Sequence, residues 1–256
     1  MKRSLSILLL ALVTLPGLAT GPNLLGKKGG QQWIVLGARA NVANTWLLNK
    51  NVMNDSRYKY KPSVGGCGGI MLGLHLTEVF AIEGECLFSA YSQRMASGDT
   101  LKWTSKTNLA YIDIPVMLRF DFENFKYLEL GIKFGILNSA KYTYNNEDFP
   151  AFNQSNVDIK KSYDKNTSLV FGWGTGIWGD GGLLISLGVR LGYGLSDIIS
   201  TDGGRGNDYI LGDGTKKSYT KTNTATAALH LNIDFDLGWF MSSSCGRSHK
   251  FVLFGH

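Results

Sequence analysis

The sequence predicts an all-β fold, an eight-stranded antiparallel up-and-down transmembrane β-barrel, and three observations predict it. Apolar and polar residues alternate at period two along eight segments, where helical spacing fits none for long. The connections between those segments alternate between short and long. Beyond the N-terminal leader there is no run of about 18 uncharged apolar residues, so any membrane crossing has to be made by strands. Composition agrees. Of 256 residues, 44 % are apolar and 18 % charged, the latter below the roughly 25 % usual for soluble domains. Glycine is abundant at 32 and proline scarce at 5, which excludes disorder and collagen. A net charge of +6 on a chain this long is a weak pointer to nucleic acid, and no nucleic-acid partner is expected.

Residues 1–19 read as a secretory signal peptide. Met1-Lys2-Arg3 is the basic start, an apolar run contains Leu8 to Val13, and Gly17-Leu18-Ala19 is a small-x-small cleavage pattern. The apolar run is too short to span a membrane and Pro16 interrupts it. Removing Lys2 and Arg3 leaves a charge of about +4. Residues 20–30 follow as a periplasmic linker, 31–240 as the barrel and 241–256 as a C-terminal periplasmic tail.

The strands follow in order, apolar face first. Ile34, Leu36, Ala38, Ala40 and Val42 oppose Gly37, Arg39 and Asn41. Val64, Ile70, Leu72, Leu74 and Leu76 oppose Gly65, Cys67, Gly73 and His75. Phe80, Ile82, Cys86 and Phe88 oppose Glu83, Glu85, Ser89 and Tyr91. The fourth is the clearest, with Ala110, Ile112, Ile114, Val116, Leu118, Phe120 and Phe122 against Tyr111, Asp113, Met117, Arg119 and Asp121. Leu128, Leu130, Ile132, Phe134 and Ile136 oppose Tyr127, Glu129, Gly131 and Lys133. Leu169, Phe171, Trp173 and Ile177 oppose Gly172, Gly174 and Gly176. Leu183, Ile185, Leu187, Val189 and Leu191 oppose Ser186, Gly188, Arg190 and Gly192. The eighth sets Ala225 to Trp239 at every second position against Thr226, His230, Asn232, Asp234 and Asp236.

Alternation does not say which face is inside. A soluble ligand-binding barrel buries its apolar face, whereas a membrane barrel turns that face to lipid. Mid-strand charges and glycines on the polar faces suit a crowded polar lumen. Aromatics at strand ends, such as Phe120, Phe122, Phe235 and Trp239, suit interfacial girdles. Long polar connections at 43–62, 92–107, 138–166 and 195–222 contrast with short ones at 76–78, 123–125 and 179–182. The expectation is therefore a barrel in the cell outer membrane, with outer-membrane lipid as its first partner.

Leu109-Ala110-Tyr111-Ile112-Asp113-Ile114-Pro115-Val116-Met117-Leu118-Arg119-Phe120 resembles the leucine-x-tyrosine-isoleucine-x-isoleucine-proline signature of the PorT-like outer-membrane β-barrel family of Bacteroidetes-type Gram-negative bacteria. Leu128-Glu129-Leu130-Gly131-Ile132-Lys133-Phe134-Gly135 is similar to that family's next strand. The resemblance covers about residues 30 to 240. It implies an eight-stranded barrel, an outer-membrane location and, for some members, a link to protein secretion. It implies no reaction. The tail after Trp239-Phe240 departs from the family, whose members usually stop on an aromatic in the last strand.

The sharper motifs do not add up to chemistry. Gly203 to Leu211 matches a single calcium nonapeptide, but such sites need stacked repeats and none follows. Gly212-Asp213-Gly214-Thr215-Lys216-Lys217-Ser218 lacks phosphate-loop spacing. Gly172-x-Gly174-x-Gly176 has no helix after it, which rejects a dinucleotide site and leaves small residues making room in a narrow lumen. An outer-membrane lipid-modifying enzyme would need a serine, a histidine and an acid near the outer leaflet. His75 falls at a periplasmic turn, His230 on the lumen face, and His249 and His256 in the tail. Cys245-x-x-x-His249 is a lone pair of metal ligands. Cys67 and Cys86 fall on opposite faces and are not expected to bridge. No catalytic, cofactor-binding or metal residue is expected, and the chain is not expected to be an enzyme.

Two features remain. Counting heights from the periplasmic ends brings Arg119 between Glu83 and Glu129, and Asp234 level with Arg190 and Arg39. These six residues are the expected lumen charge network, and the lumen is expected to be plugged. The long external loops, with interleaved Tyr and Lys as in Arg57-Tyr58-Lys59-Tyr60-Lys61 and Lys141-Tyr142-Thr143-Tyr144, are the expected binding or assembly surface, for polysaccharide, lipopolysaccharide phosphate or an outer-membrane or periplasmic protein. Pro115 cannot donate to a ladder, and the expectation there is a bulge or an unpaired carbonyl.

Overall fold

The structure is a computed structural model that describes residues 32–97, 102–122, 125–211, 214–242 and 249–253. The expected leader and linker, and Cys245 of the tail, lie outside them. Eight long strands form a ring: β1 (Gln32–Asn49), β2 (Val64–His75), β3 (Phe80–Ser97), β4 (Trp103–Asp121), β5 (Lys126–Asn146), β6 (Asn166–Asp180), β7 (Leu183–Gly194) and β8 (Thr222–Ser242). Each pairs antiparallel with its sequence neighbour. β1 pairs with β8 from Gln32↔Phe240 to Asn49↔Thr222, which closes the ring. Closure matters because lipid offers nothing to an unpaired sheet edge. The eight-stranded barrel expected from the alternation is the fold observed.

The faces sort as the alternation requires. Leu36, Ile70, Phe88, Ile114, Phe134, Phe171 and Leu229 are exposed, while Arg39, Glu85, Asp113, Lys133, Arg190 and His230 are buried. An apolar outside and a charged inside exclude a soluble barrel with an apolar core. Among the described residues no helix is long and apolar enough to cross a membrane. Cys67 faces inward, beside Asn41, and Cys86 is exposed on the outer face; both are free.

The short connections are tight. Gly181 and Gly182, at φ 55° and 88°, make a two-residue turn between β6 and β7, the doubly left-handed form that matches strand twist. Thr77 Oγ1 accepts from the N–H groups of Val79 and Phe80 in the β2–β3 turn. The long connections differ from expectation. β3, β4 and β5 run on through residues assigned to loops, to Ser97, from Trp103 and to Asn146. Above the lipid the outer face needs no apolar residues, so the signature vanishes while the pairing continues.

At Pro115 the structure has no bulge but the other expected form, lost pairing. β3 and β4 pair as Gly84↔Val116 and again as Leu87↔Asp113 in the same register, and the two pairs between are missing. On its other side Pro115 stays opposite Lys133. The irregularity in this strand lies instead at Ala110/Tyr111. Residues His249–Leu253 form a short strand against Gly238–Ser242, so this stretch of the tail pairs with the sheet and does not simply hang.

Candidate functional site

The lower lumen holds an ion-paired network of three arginines and five carboxylates among the described residues. Arg39 Nη1 donates to Asp234, its Nη2 lies 3.3 Å from Glu83 and its Nε 3.5 Å from Glu85. Arg119 Nε donates to Asp121 at 2.8 Å, and its Nη1 lies 3.4 Å from Glu83, 3.6 Å from Asp234 and 4.0 Å from Glu129. Its guanidinium stacks 4.2 Å from the Tyr127 ring centroid. Arg190 reaches across the lumen to hold Glu85 at 2.8 and 3.0 Å with two nitrogens, and Glu129 at 2.7 Å. Planar guanidinium forks suit such shared carboxylates, because each fork presents several donors in fixed directions.

Glycines make the room. A Cβ on Gly37 would stand 2.4 Å from the Asp234 carboxylate and 2.7 Å from Arg39 Nη1. One on Gly188 would stand 2.5 Å from Tyr127 Oη and 2.7 Å from His230 Nε2. Tyr127 Oη is hydrogen-bonded to His230 Nε2 at 2.8 Å and accepts from Asn232 at 3.2 Å. Higher up, Lys133 lies 3.3 Å from Asp113 and bonds the Tyr91 hydroxyl, which donates to Asp113. A cavity of about 40 Å³, lined by Cys67, Pro115, Lys133 and Arg190 among others, separates the two groups. That volume admits water but no organic ligand.

The mouth is closed by a different chemistry. Ile198, from the β7–β8 loop, is fully buried among Leu47, Tyr91, Leu109, Tyr111 and Ala140, with Ile159 and Tyr163 of the β5–β6 loop packed against them. The loops are tied to one another above this plug. Arg205 donates to the carbonyls of Ile199 at 2.5 Å and Asp197 at 3.2 Å, and to Asp164 at 3.2 Å. Tyr219 donates to Asp197 at 2.5 Å; burial and that carboxylate push its phenol up to about 12, so it remains a donor at any physiological pH. Asp55, in the β1–β2 loop, accepts from Arg57 at 2.6 Å and from Tyr209 of the β7–β8 loop at 2.9 Å. The Arg57 side-chain bond holds the Asp55 carboxyl below the ordinary aspartate range. Gly203 to Leu211, the lone nonapeptide, is part of this cap and turns through Gly204 and Gly206 at φ 92° and 87°.

All six residues expected in the lumen network are buried in the lumen. Of the contacts the height count named, the structure has Arg119 with Glu83 and Glu129, and Arg39 with Asp234, while Arg119 with Asp234 and Arg39 with Glu83 were not among them. Arg190 does not meet Asp234. In the β7–β8 register Asp234 stands opposite Leu184 and Arg190 opposite Ala228, six residues higher. Glu85 and Asp121 complete the network without having been assigned to it. Both were visible as polar-face charges, but a height count compares neighbouring strands, and Arg190 reaches Glu85 from across the barrel. His75 sits at the periplasmic end of β2, stacked 4.4 Å from Trp33. His249 and His256 have no described side chains.

An apolar outer wall around a desolvated, ion-paired interior defines a small transmembrane β-barrel. The chain belongs to the outer membrane protein β-barrel domain family, whose model matches residues 31–200, and it resides in the cell outer membrane. Among solved structures it is similar to Neisserial surface protein A at 9 % identity, covering 78 % of this chain and 96 % of that one, with a TM-score of 0.35. It is similar to OprG of Pseudomonas aeruginosa at 10 %, covering 82 % and 99 %, with a TM-score of 0.41. The AlkL structure in lipid bilayers matches at 9 %, covering 90 % and 99 %, with a TM-score of 0.42. No curated protein matches in sequence.

Proposed function

We propose that this barrel neither catalyses nor conducts, and that its tied loop cap is a binding or assembly surface for a protein partner. The observation that carries this reading is the double closure of the lumen, by ion pairs below and by Ile198 above, which leaves the loops as the accessible polar surface. Of the described histidines, His230 is bonded to Tyr127 inside the barrel, and His75 is stacked on Trp33 at the far end from the outer leaflet, which supports a non-catalytic reading. Tyr111 of the PorT-like signature donates to the Asp164 carbonyl at 2.8 Å, which ties the signature strand to the cap; a role in secretion is the finer form of this proposal.

In planar bilayers the wild type should show no steady conductance. A pull-down should retain a defined protein partner with the intact chain and lose it when residues 147–165 are replaced by a short glycine-serine linker. Porin-like conductance, or retention of the same partner without that loop, would refute the reading.

A further inference from the structure

Above the lipid band, β3, β4 and β5 continue as a sheet edged by two short strands, Tyr58–Lys61 against β3 and Gln154–Asp158 against β5. The register of this sheet does something costly. Lys61 stands opposite Arg94 and Arg94 opposite Lys106, three cations in one row across three strands. Lys59, two pairs higher, and Lys141, opposite Asn108 and diagonal to Lys106, share their face. Like charges directly opposite on neighbouring strands repel, and their Cβ atoms are only about 5 Å apart. Among the described residues, none of these five forms an ion pair. Asp158 stands opposite Lys141, off the row of three, and its carboxylate accepts from the Lys160 N–H at 2.9 Å. The other side of the same sheet is aromatic, with Trp103 5.5 Å from Tyr58 and 5.9 Å from Tyr144, so the cations have no route inward.

The row is continuous with the lipid face. Going up β3, the outward positions run Phe88, Ala90, Ser92, Arg94; going up β4 they run Ile112, Ala110, Asn108, Lys106. Six residues of tilted strand rise about 15 Å, which sets the cations at headgroup height above chains resting on Phe88, Ile112 and Ile136. At corresponding positions β1 presents Trp46 and Leu48, and β7 presents Tyr193.

We propose that the outer wall formed by Lys59, Lys61, Arg94, Lys106 and Lys141 binds the phosphorylated sugar headgroup of an outer-leaflet lipid, whose acyl chains lie on the apolar residues directly below. A phosphate between the three strands supplies the counter-charge that the register leaves out, and the lipid tail fixes its height.

The test uses the full folded chain in phosphatidylcholine vesicles carrying diphosphoryl lipid A, and reads lipid A retained per barrel after purification from the vesicles. The triple variant K61Q/R94Q/K106Q should keep its heat-shifted gel migration and lose retention by about tenfold to a hundredfold, at about 1 kcal/mol per cation near an anionic surface. The control K160Q/K161Q/K217Q, in the loops, should retain lipid A as the wild type does. If the triple variant does not fold, K106Q alone, at the centre of the row, should lose about threefold to tenfold. Equal retention by wild type and variant would overturn the proposal, as would equal retention of dephosphorylated lipid A. Binding of the soluble phosphorylated disaccharide as tightly as the intact lipid would assign the patch to a free anion and overturn it too.

Discussion

Arg119→Ala removes the lumen cation with the most partners. Its side chain is buried and lies within 4.0 Å of Asp121, Glu83, Asp234 and Glu129, with Tyr127 beneath it. Without it the five carboxylates are left to Arg39 and Arg190, and Asp121 loses its only guanidinium. Breaking a buried ion pair by removing one partner costs about 3–5 kcal/mol, because the remaining charge stays desolvated. At about 1.4 kcal/mol per decade, that is a drop of roughly two to three and a half powers of ten in the folding equilibrium. The comparison is Lys141→Ala on the exposed outer wall, expected within about 0.5 kcal/mol of wild type. Urea unfolding in lipid vesicles, followed by tryptophan fluorescence, measures both. Adding Asp121→Asn to Arg119→Ala should recover part of the loss, since it deletes the orphaned charge. If Arg119→Ala came within about 1 kcal/mol of Lys141→Ala, the lumen would have to be wet enough to solvate these carboxylates, and the case for a dry ion-paired interior would fail.

Four further outcomes follow from the geometry. Ile198→Asp puts a charge into the apolar plug and should raise protease sensitivity of the loops by tenfold or more on the roughly 1–3 kcal/mol scale of a buried unpartnered polar group, with the barrel itself still heat-shifted. Cys86 should react with a membrane-soluble maleimide while Cys67 stays protected until unfolding, and no oxidant should bridge them in the folded state. Because the Asp55 carboxyl titrates below the ordinary value of 3.8, the tie it makes to Arg57 and Tyr209 is intact above that value and is lost as pH falls through the lower, folded-state value; hydrogen exchange near residues 207–211 should rise only in that acid window. Truncation after Ser242 should leave closure intact, since β1 and β8 pair over residues 222–240 without the tail; loss of heat-modifiable migration would show that the tail carries an assembly signal.

Strand number and the in-or-out sense of each strand were legible because lipid and lumen impose opposite chemistry on alternate residues. Ile112, Asp113 and Ile114 could only be read one way. Strand length was not legible above the hydrocarbon: at Arg94, Lys106 and Lys141 the apolar half of the pattern disappears although the ladder continues. The charge network was legible where partners sit on adjacent strands, as Arg119 and Glu129 do, directly opposite one another. It was not legible where a side chain crosses the lumen, as from Arg190 to Glu85. The Ile198 plug carried no signal at all, because one isoleucine inside a polar loop has no period.

The unpaired stretch at Pro115 leaves a seam halfway up the wall. Two residue pairs between β3 and β4 are absent there, and Pro115 lines the 40 Å³ cavity behind. In most barrels amide exchange is fastest at the rims and slowest at the bilayer midplane. Here β3 keeps its pairs to β2 at Glu85 and Cys86 and loses those to β4. Local opening should therefore begin in the middle of the membrane, along the line between β3 and β4.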